Sequence, residues 1–253
     1  MSAAGPPQGA NSAPSGGSEP AFPASVGAHP LAVVRLLQLA SPTLPIGAYS
    51  YSQGLEWAVE AGTVHDATSA QTWIGDLMQY AIGPGEVAVL WRCLQAVAAE
   101  DRTTFLRWNA WFRASRETSE LRAETEQTGA ALIKWLGDLD LLDASAHAAA
   151  DAATPITLPA AFALAAHGTG VEPQHAMTAY VWSWLENQVL AAMKAIPLGQ
   201  ASGQRLLRAL GSRIPAVVES ARDLEDSDVA SAAPGLALAS ARHETQYTRL
   251  FRS

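Results

Sequence analysis

Proline separates segments of this chain whose apolar residues repeat with the period of an α-helix. Val33, Leu36 and Leu37 show that spacing, as do Ile74 and Leu77. The prolines that stand between such segments are Pro42, Pro45, Pro84, Pro155, Pro159, Pro173, Pro197, Pro215 and Pro234. Because proline lacks a backbone N–H and obstructs the preceding turn, we expect helices to begin or end at these points. Stretches of β-branched residues alternating with polar ones, which would indicate strands, are missing from the sequence.

The resulting fold class is all-α. We predict a single helical bundle-like domain of about eight to ten helices over residues 29–253. Asp66 or Thr68 is placed to cap the helix that carries Trp73, and Pro173 is placed in a first helical turn. Residues 1–28 are rich in Ala, Gly, Pro and Ser and hold few side chains worth burying, so we predict a disordered N-terminal tail there.

Charge and cysteine content argue against several classes of function. The formal net charge is −8 and no segment is a basic block, which disfavours a nucleic-acid ligand and a polybasic membrane site. No run approaches the roughly 20 apolar residues of a membrane-spanning helix. Cys93, the lone cysteine, lies in an apolar helical stretch, so we expect a buried, inert thiol. The sequence therefore indicates a soluble, cytoplasmic protein.

Motifs of common catalytic and metal sites do not occur in the sequence. Nucleophile-elbow, phosphate-loop and dinucleotide-binding patterns are missing. The histidines lack metal-ligand spacing, although folding could still unite distant ones such as His167 and His175. His243-Glu244 is not a zinc-protease signature, because Tyr247 stands where the second histidine would be. We predict no catalytic residue and no metal ligand.

A run of alternating charges extends from Arg116 to Glu126. Arg116 and Glu120 are four residues apart, as are Arg122 and Glu126, so each pair could form an ion pair along one helix. Two of the carboxylates could instead act as general acid and base if the fold separated their pKa values. We favour a solvent-facing ladder of ion pairs.

Residues 41–56 are unusual for a helix-to-helix connection. Pro45 restricts the backbone, Gly47 lets it turn, and Tyr49 and Tyr51 add aromatic surface. A rigid loop with paired tyrosines suits protein docking, whereas the alternative is an ordinary connection with half-buried tyrosines. The residues alone leave these two interpretations even.

The C-terminal tail, residues 242–253, is also unusual. Chain ends are commonly small, polar and poorly ordered. The candidate partner-binding residues of this tail are Arg242, Tyr247, Arg249, Leu250 and Phe251, to which the loop adds Tyr49 and Tyr51. Because exposing Leu250 and Phe251 would be unfavourable, we expect the tail to be bound by its own domain, by a second copy or by a different protein.

Two further stretches, residues 116–121 and 196–204, complete a pattern with the loop and the tail. Besides the tail, its motif residues are Pro45, Gly47, Gly54, Glu56, Arg116, Glu117, Glu120, Pro197, Gly199, Gln200, Gly203 and Gln204. In this order, the four stretches resemble the UreF family of urease accessory proteins. The resemblance implies that the stretch around Gln200 shapes a helix junction.

The resemblance also implies a function. Proteins of this family assist the nickel-dependent maturation of urease in the cytoplasm and are typically homodimers. They bind the accessory protein UreD (also called UreH), recruit the GTPase UreG and engage apo-urease. The resemblance implies no enzymatic activity and no cofactor of the chain's own, because the complex handles the nickel. It places Tyr49 and Arg249 at the surface that receives the GTPase, with a tail that orders when the partner binds.

Two other functions stay open on the sequence alone. One is a generic α-helical adaptor, which would ignore UreD and UreG. The other is an all-α enzyme that uses dispersed carboxylates such as Glu117, Glu120 and Glu244. Such an enzyme would turn over a small molecule unaided and lose that activity on substitution of these carboxylates.

Overall fold

The structure, a computed structural model, describes residues 1–2 and 30–252, and no strand occurs among them. Its α-helices are α1 (Pro30–Leu39), α2 (Leu55–Glu60), α3 (Ala67–Leu77), α4 (Ala88–Ala98), α5 (Arg102–Ala114), α6 (Ser119–Asp138), α7 (Ala144–Ala152), α8 (Leu158–Thr169), α9 (Pro173–Ala195), α10 (Gln200–Gly211), α11 (Ile214–Asp223) and α12 (Pro234–His243). The all-α prediction is confirmed, and about eight to ten helices were expected; the described ranges hold twelve when short segments such as α2 are counted separately. The predicted disordered tail falls almost entirely on residues 3–29, which lie outside the described residues.

Helix starts follow the local chemistry of the sequence. The Asp66 carboxylate accepts the Ser69 N–H at 2.7 Å, and the Ser69 hydroxyl accepts the Asp66 N–H at 3.0 Å. This reciprocal capping box begins α3, as expected for Asp66. Asp101 and Thr118 also cap α5 and α6, each through one side-chain oxygen that accepts a backbone N–H. Pro173 lies in the first turn of α9, which confirms that prediction.

Pro84 does not end a helix, contrary to expectation. It lies inside a π-helix, Met78–Val87, that joins α3 to α4 without a break. Proline cannot donate a backbone hydrogen bond, so wider helical geometry and outside donors must satisfy nearby carbonyls. The segment before α12 supplies two such donors. The Ala232 N–H donates to the Tyr80 carbonyl at 2.8 Å, and the Ala230 N–H donates to the Pro84 carbonyl at 3.2 Å.

The core is centred on α8, which is rich in alanine and almost entirely buried. α4 and α6 pack directly against it, since small side chains let helix axes approach closely. Cys93 on α4 is fully buried, which confirms the prediction of a buried thiol, and burial raises its pKa to about 12. No helix in the described ranges is long and apolar enough to cross a lipid bilayer.

Two glycines of α6 are expected to respond to alanine in opposite ways. A Cβ on Gly129 would lie 2.5 Å from the Ile156 carbonyl oxygen and 2.8 Å from the Thr157 carbonyl carbon, so backbone would have to move. A Cβ on Gly137 would meet nothing within 4 Å. We expect Gly129→Ala to destabilise the domain by about 1–3 kcal/mol through overpacking.

The Gly137→Ala variant is the matched control. It should stabilise the domain by up to about 1 kcal/mol, because alanine is the better helix former. Urea unfolding followed by circular dichroism measures both free energies. Equal shifts of the two unfolding midpoints would contradict the close approach of α6 to the segment before α8.

The predicted solvent-facing ladder of ion pairs is wrong. Arg116 and Glu120 do not share a helix, because α6 begins only after the Thr118 cap. The Arg116 side chain is 5% exposed and donates to the Glu86 carboxylate at 3.0 Å. Arg122 donates to the Arg116 carbonyl instead of pairing with Glu126. The Glu126 carboxylate pairs with Arg113 on α5, so the charges of this run connect different helices.

Candidate functional site

The C-terminal tail is bound by its own domain, which was one of the three alternatives for it. Its first two residues end α12, and the chain then returns across α2. The Glu56 carboxylate accepts the N–H groups of Leu250 at 2.6 Å and Phe251 at 2.9 Å. Arg252 N–H donates to the Ser50 carbonyl at 2.8 Å, which joins the tail to the loop of residues 41–56.

Four charged or titratable side chains form a cluster that attaches the tail, which we call the carboxylate–imidazole cluster: Glu56, Glu120, His243 and Arg249. Glu56 and His243 are buried, Glu120 is partly buried and Arg249 is exposed. His243 is fully buried, with Nε2 3.3 Å from a Glu56 oxygen and Nδ1 2.8 Å from a Glu120 oxygen. The other Glu120 oxygen accepts from the Arg249 guanidinium at 2.8 Å. The cluster thus connects α2, α6, α12 and the tail.

Arg249 also holds the tail in its own turn. Its Nε donates to the Gln246 carbonyl at 3.0 Å, and a terminal nitrogen donates to the Glu244 carbonyl. A planar guanidinium has several fixed donors, so one side chain can bind a carboxylate and two carbonyls at once. Arg249 therefore fixes both the shape of the tail and its attachment to α6.

Glu244 binds the beginning of α6. One carboxylate oxygen accepts the N–H and the hydroxyl of Ser119, at 2.9 and 2.6 Å. These hydrogen bonds from Ser119 lower the pKa of Glu244 below its usual value. A negative charge at a helix N-terminus is favourable, because the first N–H groups of a helix lack partners within it.

Close packing of α2 and α12 explains the motif residue Gly54. Its φ of +75° is left-handed, and a Cβ there would lie 2.8 Å from the Ala239 Cβ and 3.1 Å from the Ser240 nitrogen. The Ser240 hydroxyl is 2.7 Å from that of Thr118, which caps α6. Glycine at position 54 therefore lets α12 approach closely enough for His243 to reach the carboxylates.

The two interpretations of the tyrosines that the sequence left open divide between the two residues, because Tyr49 is exposed and Tyr51 is buried. Tyr49 is 61% exposed, on a 3-10 turn that follows the left-handed Gly47. Tyr51 is extended and buried, with its hydroxyl donating to Gln127 at 2.7 Å and its carbonyl accepting from Asn187. The domain covers the Tyr51 ring, so a partner could contact it only if the loop of residues 41–56 moved.

The tail is joined to this turn by the hydrogen bond from Arg252 to Ser50, and several of its side chains are exposed. Tyr247 is fully exposed and Leu250 is 68% exposed, whereas Phe251 is buried with the Lys194 ammonium 5.5 Å from its ring centre. We define Tyr49, Tyr247 and Leu250 as the tail surface. Arg242, at the end of α12, is also exposed. Phe251 thus anchors the tail, and its neighbour Leu250 faces outward.

Several motif residues lie outside the cluster. The stretch around Gln200 joins α9 to α10, and Gly203 lies so close to Met193 that a Cβ there would displace its sulphur. The exposed motif residues are Pro45, Glu117, Pro197, Gly199, Gln200 and Gln204. Their roles stay predictions. Among the described residues, no group of three histidine, cysteine or acidic side chains is arranged to hold a metal ion.

Acid–base catalysis by Glu117, Glu120 and Glu244 finds no support in the geometry. Glu120 uses its two oxygens on His243 and Arg249, Glu244 caps α6, and Glu117 is exposed. The Glu56 and Glu120 carboxylates of the cluster instead bind groups of the tail and so attach it to the domain. Sequence reasoning did not identify His243 as the centre of the cluster, because its two neighbours are 123 and 187 residues away.

Comparison with known proteins gives consistent matches. The UreF family model matches residues 64–211. The urease accessory protein UreF of Azoarcus sp. (strain BH72) is 51% identical over 225 residues, which is 88% of this chain and 96% of the relative. The protein of the same name from Dechloromonas aromatica (strain RCB) is 52% identical over 88% of this chain and 98% of the relative. Urease accessory protein UreF 2 of Brucella anthropi is 43% identical over 88% of this chain.

Proposed function

This chain belongs to the UreF family of urease accessory proteins, and from that membership we propose that it is a scaffold for urease maturation. In this proposal it binds UreD (UreH), recruits the GTPase UreG and presents both to apo-urease in the cytoplasm. Nickel is the cargo of the assembly and not a cofactor of this chain. The chain itself is not an enzyme, in keeping with the accessory role that its relatives' names state.

The observation that carries the proposal is the docked tail with its exposed side chains. Tyr49, Tyr247 and Leu250 present two aromatic rings and an aliphatic side chain on adjoining segments. Tyrosine is enriched among the residues that dominate binding energy, and a rigid support lowers the entropy cost of binding. Here the support comes from the buried Phe251 and from the carboxylate–imidazole cluster. The tail surface is therefore the proposed docking site for UreG.

A second exposed apolar face supports the proposed homodimer. Val34 and Leu37 lie one turn apart on α1 and are 60% and 64% exposed. Leu190 on α9 is also exposed, and α1 packs against α9. Exposed apolar side chains grouped in this way are typical of protein interfaces. We propose that this face of α1 contacts a second copy of the chain.

Size-exclusion chromatography with light scattering tests the scaffold. The full chain is compared, alone and mixed with UreD and then with UreG, nickel and a GTP analogue, with a chain that ends at Gln246. This truncation keeps His243 and Glu244 on the body of the protein and removes Tyr247 and Leu250. We expect the full chain to form a dimer and then the ternary complex, and the truncated chain to keep UreD and lose UreG.

A chain that lacks residues 1–28 is the matched control, because no family motif lies there. It should behave as the full chain does in every mixture. If the full chain binds neither UreD nor UreG, the proposed function is wrong. If the chain ending at Gln246 still recruits UreG at full strength, the tail surface is not the docking site.

A further inference from the structure

His243 is a buried residue to which the proposed function assigns no role. It lies at the end of α12 with no exposed surface, and each ring nitrogen faces a different carboxylate. A neutral buried imidazole needs an acceptor for its one N–H and a donor for its other nitrogen, whereas an ionised carboxylate offers no donor. Two partners on opposite sides of the ring restrict its state of protonation.

Both carboxylates act as hydrogen-bond acceptors, which identifies the ring nitrogens as donors. The two Glu56 oxygens accept the N–H groups of Leu250 and Phe251, and a Glu120 oxygen accepts from Arg249. Ionised carboxylates only accept. A neutral imidazole carries one N–H and would turn its other lone pair toward a carboxylate oxygen. The contacts at 2.8 and 3.3 Å therefore fit an imidazolium that donates from both nitrogens.

The charges around the ring balance only in that state. The groups that face His243 are Glu56 from α2 and Glu120 from α6, while Arg249 from the tail pairs with Glu120 from the other side. Glu244, the next residue, points to the start of α6. With an imidazolium, two positive charges compensate the two carboxylates. With a neutral ring, the Glu56 carboxylate, whose side chain is 8% exposed, stays without a compensating charge, which is unfavourable.

From this arrangement we infer that His243 is a positioning residue for the recruitment step, acting as an imidazolium that holds Glu56 and Glu120 in place beneath the tail. Glu56 in turn binds Leu250 and Phe251, and Glu120 binds Arg249. The inference rests on the proposed function, since it assigns a role to that same tail surface. Loss of the second ring proton removes one of the two contacts between the ring and the carboxylates and therefore weakens docking of the tail.

The sign of the effect follows from proton linkage. The docked tail requires the additional ring proton, so raising the pH favours the undocked tail. Docking of the tail is therefore tightest while both ring nitrogens carry protons, and it loosens when the second proton is lost.

Two measurements on the full chain test the inference. Nitrogen-15 spectra of the histidine side chains report the protons on each His243 nitrogen, and hydrogen exchange reports the protection factors of the Leu250 and Phe251 amides. We expect two ring protons wherever these amides are protected. The protection factors should fall at least roughly tenfold as the ring loses its second proton, because hydrogen bonds to charged groups are lost. Protection that stays constant while the ring titrates, or a ring with one proton beneath a protected tail, would overturn the inference.

Two variants separate positioning from general stability. His243→Gln should show weak protection with no pH dependence, and His147→Gln, an exposed histidine on α7, should match the unmodified chain. If His243→Gln does not fold, the titration of the unmodified chain still decides. Recruitment of UreG to the UreD-bound chain should follow the same pH profile as tail protection. If UreG binds at no pH while the tail still titrates as expected, the proposed function fails and the role of His243 in docking stands.

Discussion

Replacing Glu56 by alanine should release the C-terminal tail from the body of the protein. The substitution removes the acceptor of the Leu250 and Phe251 N–H groups and one carboxylate beside His243. Hydrogen bonds to a charged acceptor contribute about 1.5–3 kcal/mol each, and these are not independent. We expect the docked state to lose about 3 kcal/mol, which lowers amide protection of the tail roughly a hundredfold. Hydrogen exchange with mass spectrometry measures this loss, and the proposed docking of UreG should weaken with it.

Glu60→Ala provides the control for that result. Glu60 ends the same short helix, carries the same charge and is exposed. Its substitution changes the net charge equally and should leave tail exchange unchanged. A tail that is equally protected in the Glu56 variant and in the unmodified chain would show that the Phe251 ring, and not the carboxylate, holds the tail.

Replacing Arg116 by alanine should strongly destabilise the domain. The Glu86 side chain is 9% exposed, and Arg116 is its ion-pair partner. Tyr180 keeps its proton, since burial and the Glu86 charge raise its pKa well above the ordinary value, and it donates to Glu86 at 2.8 Å. One neutral donor does not compensate a buried carboxylate. Removing one member of a buried pair typically costs about 3–5 kcal/mol, and we expect a loss in that range by urea unfolding.

A second substitution shows whether the cost comes from the uncompensated charge. Adding Glu86→Gln to Arg116→Ala removes that charge and keeps an oxygen for the Tyr180 hydroxyl, so the double variant should be more stable than the single one. Lys134→Ala serves as the exposed control, because Lys134 and Asp138 are both mostly exposed and such pairs contribute under about 1 kcal/mol. A double variant that is no more stable than Arg116→Ala would contradict the charge argument.

The fold was predictable where it depends on neighbours in sequence. Helical spacing and capping residues identified the all-α class and the start of α3 at Asp66, because these signals act over three or four residues. The failure at Pro84 has a distant cause. The donors that accompany its π-helix are Ala230 and Ala232, which lie far along the chain.

The candidate site was predictable only in outline. The unusual composition of the loop and the tail indicated both segments, and the resemblance to the UreF family selected Glu56 and Glu120 as motif residues. The reason for those two residues is three-dimensional, since their shared partner His243 is distant in sequence from both. Likewise, the spacing of Arg116 and Glu120 predicted an ion pair along one helix. In the structure the buried Arg116 side chain instead pairs with Glu86, which is 30 residues away in sequence.

The attachment of the tail to Glu56 has a consequence for the order of events during synthesis. The bonded residues are 194 and 195 positions apart, so the donors are synthesised long after the acceptor on α2. Domains begin to fold from their N-terminal side while later segments are still being synthesised. The tail surface is therefore completed only after α2 and the helices that follow it have been made. A chain whose synthesis stops before Leu250 does not display it, so partners that read this surface select chains translated beyond that point.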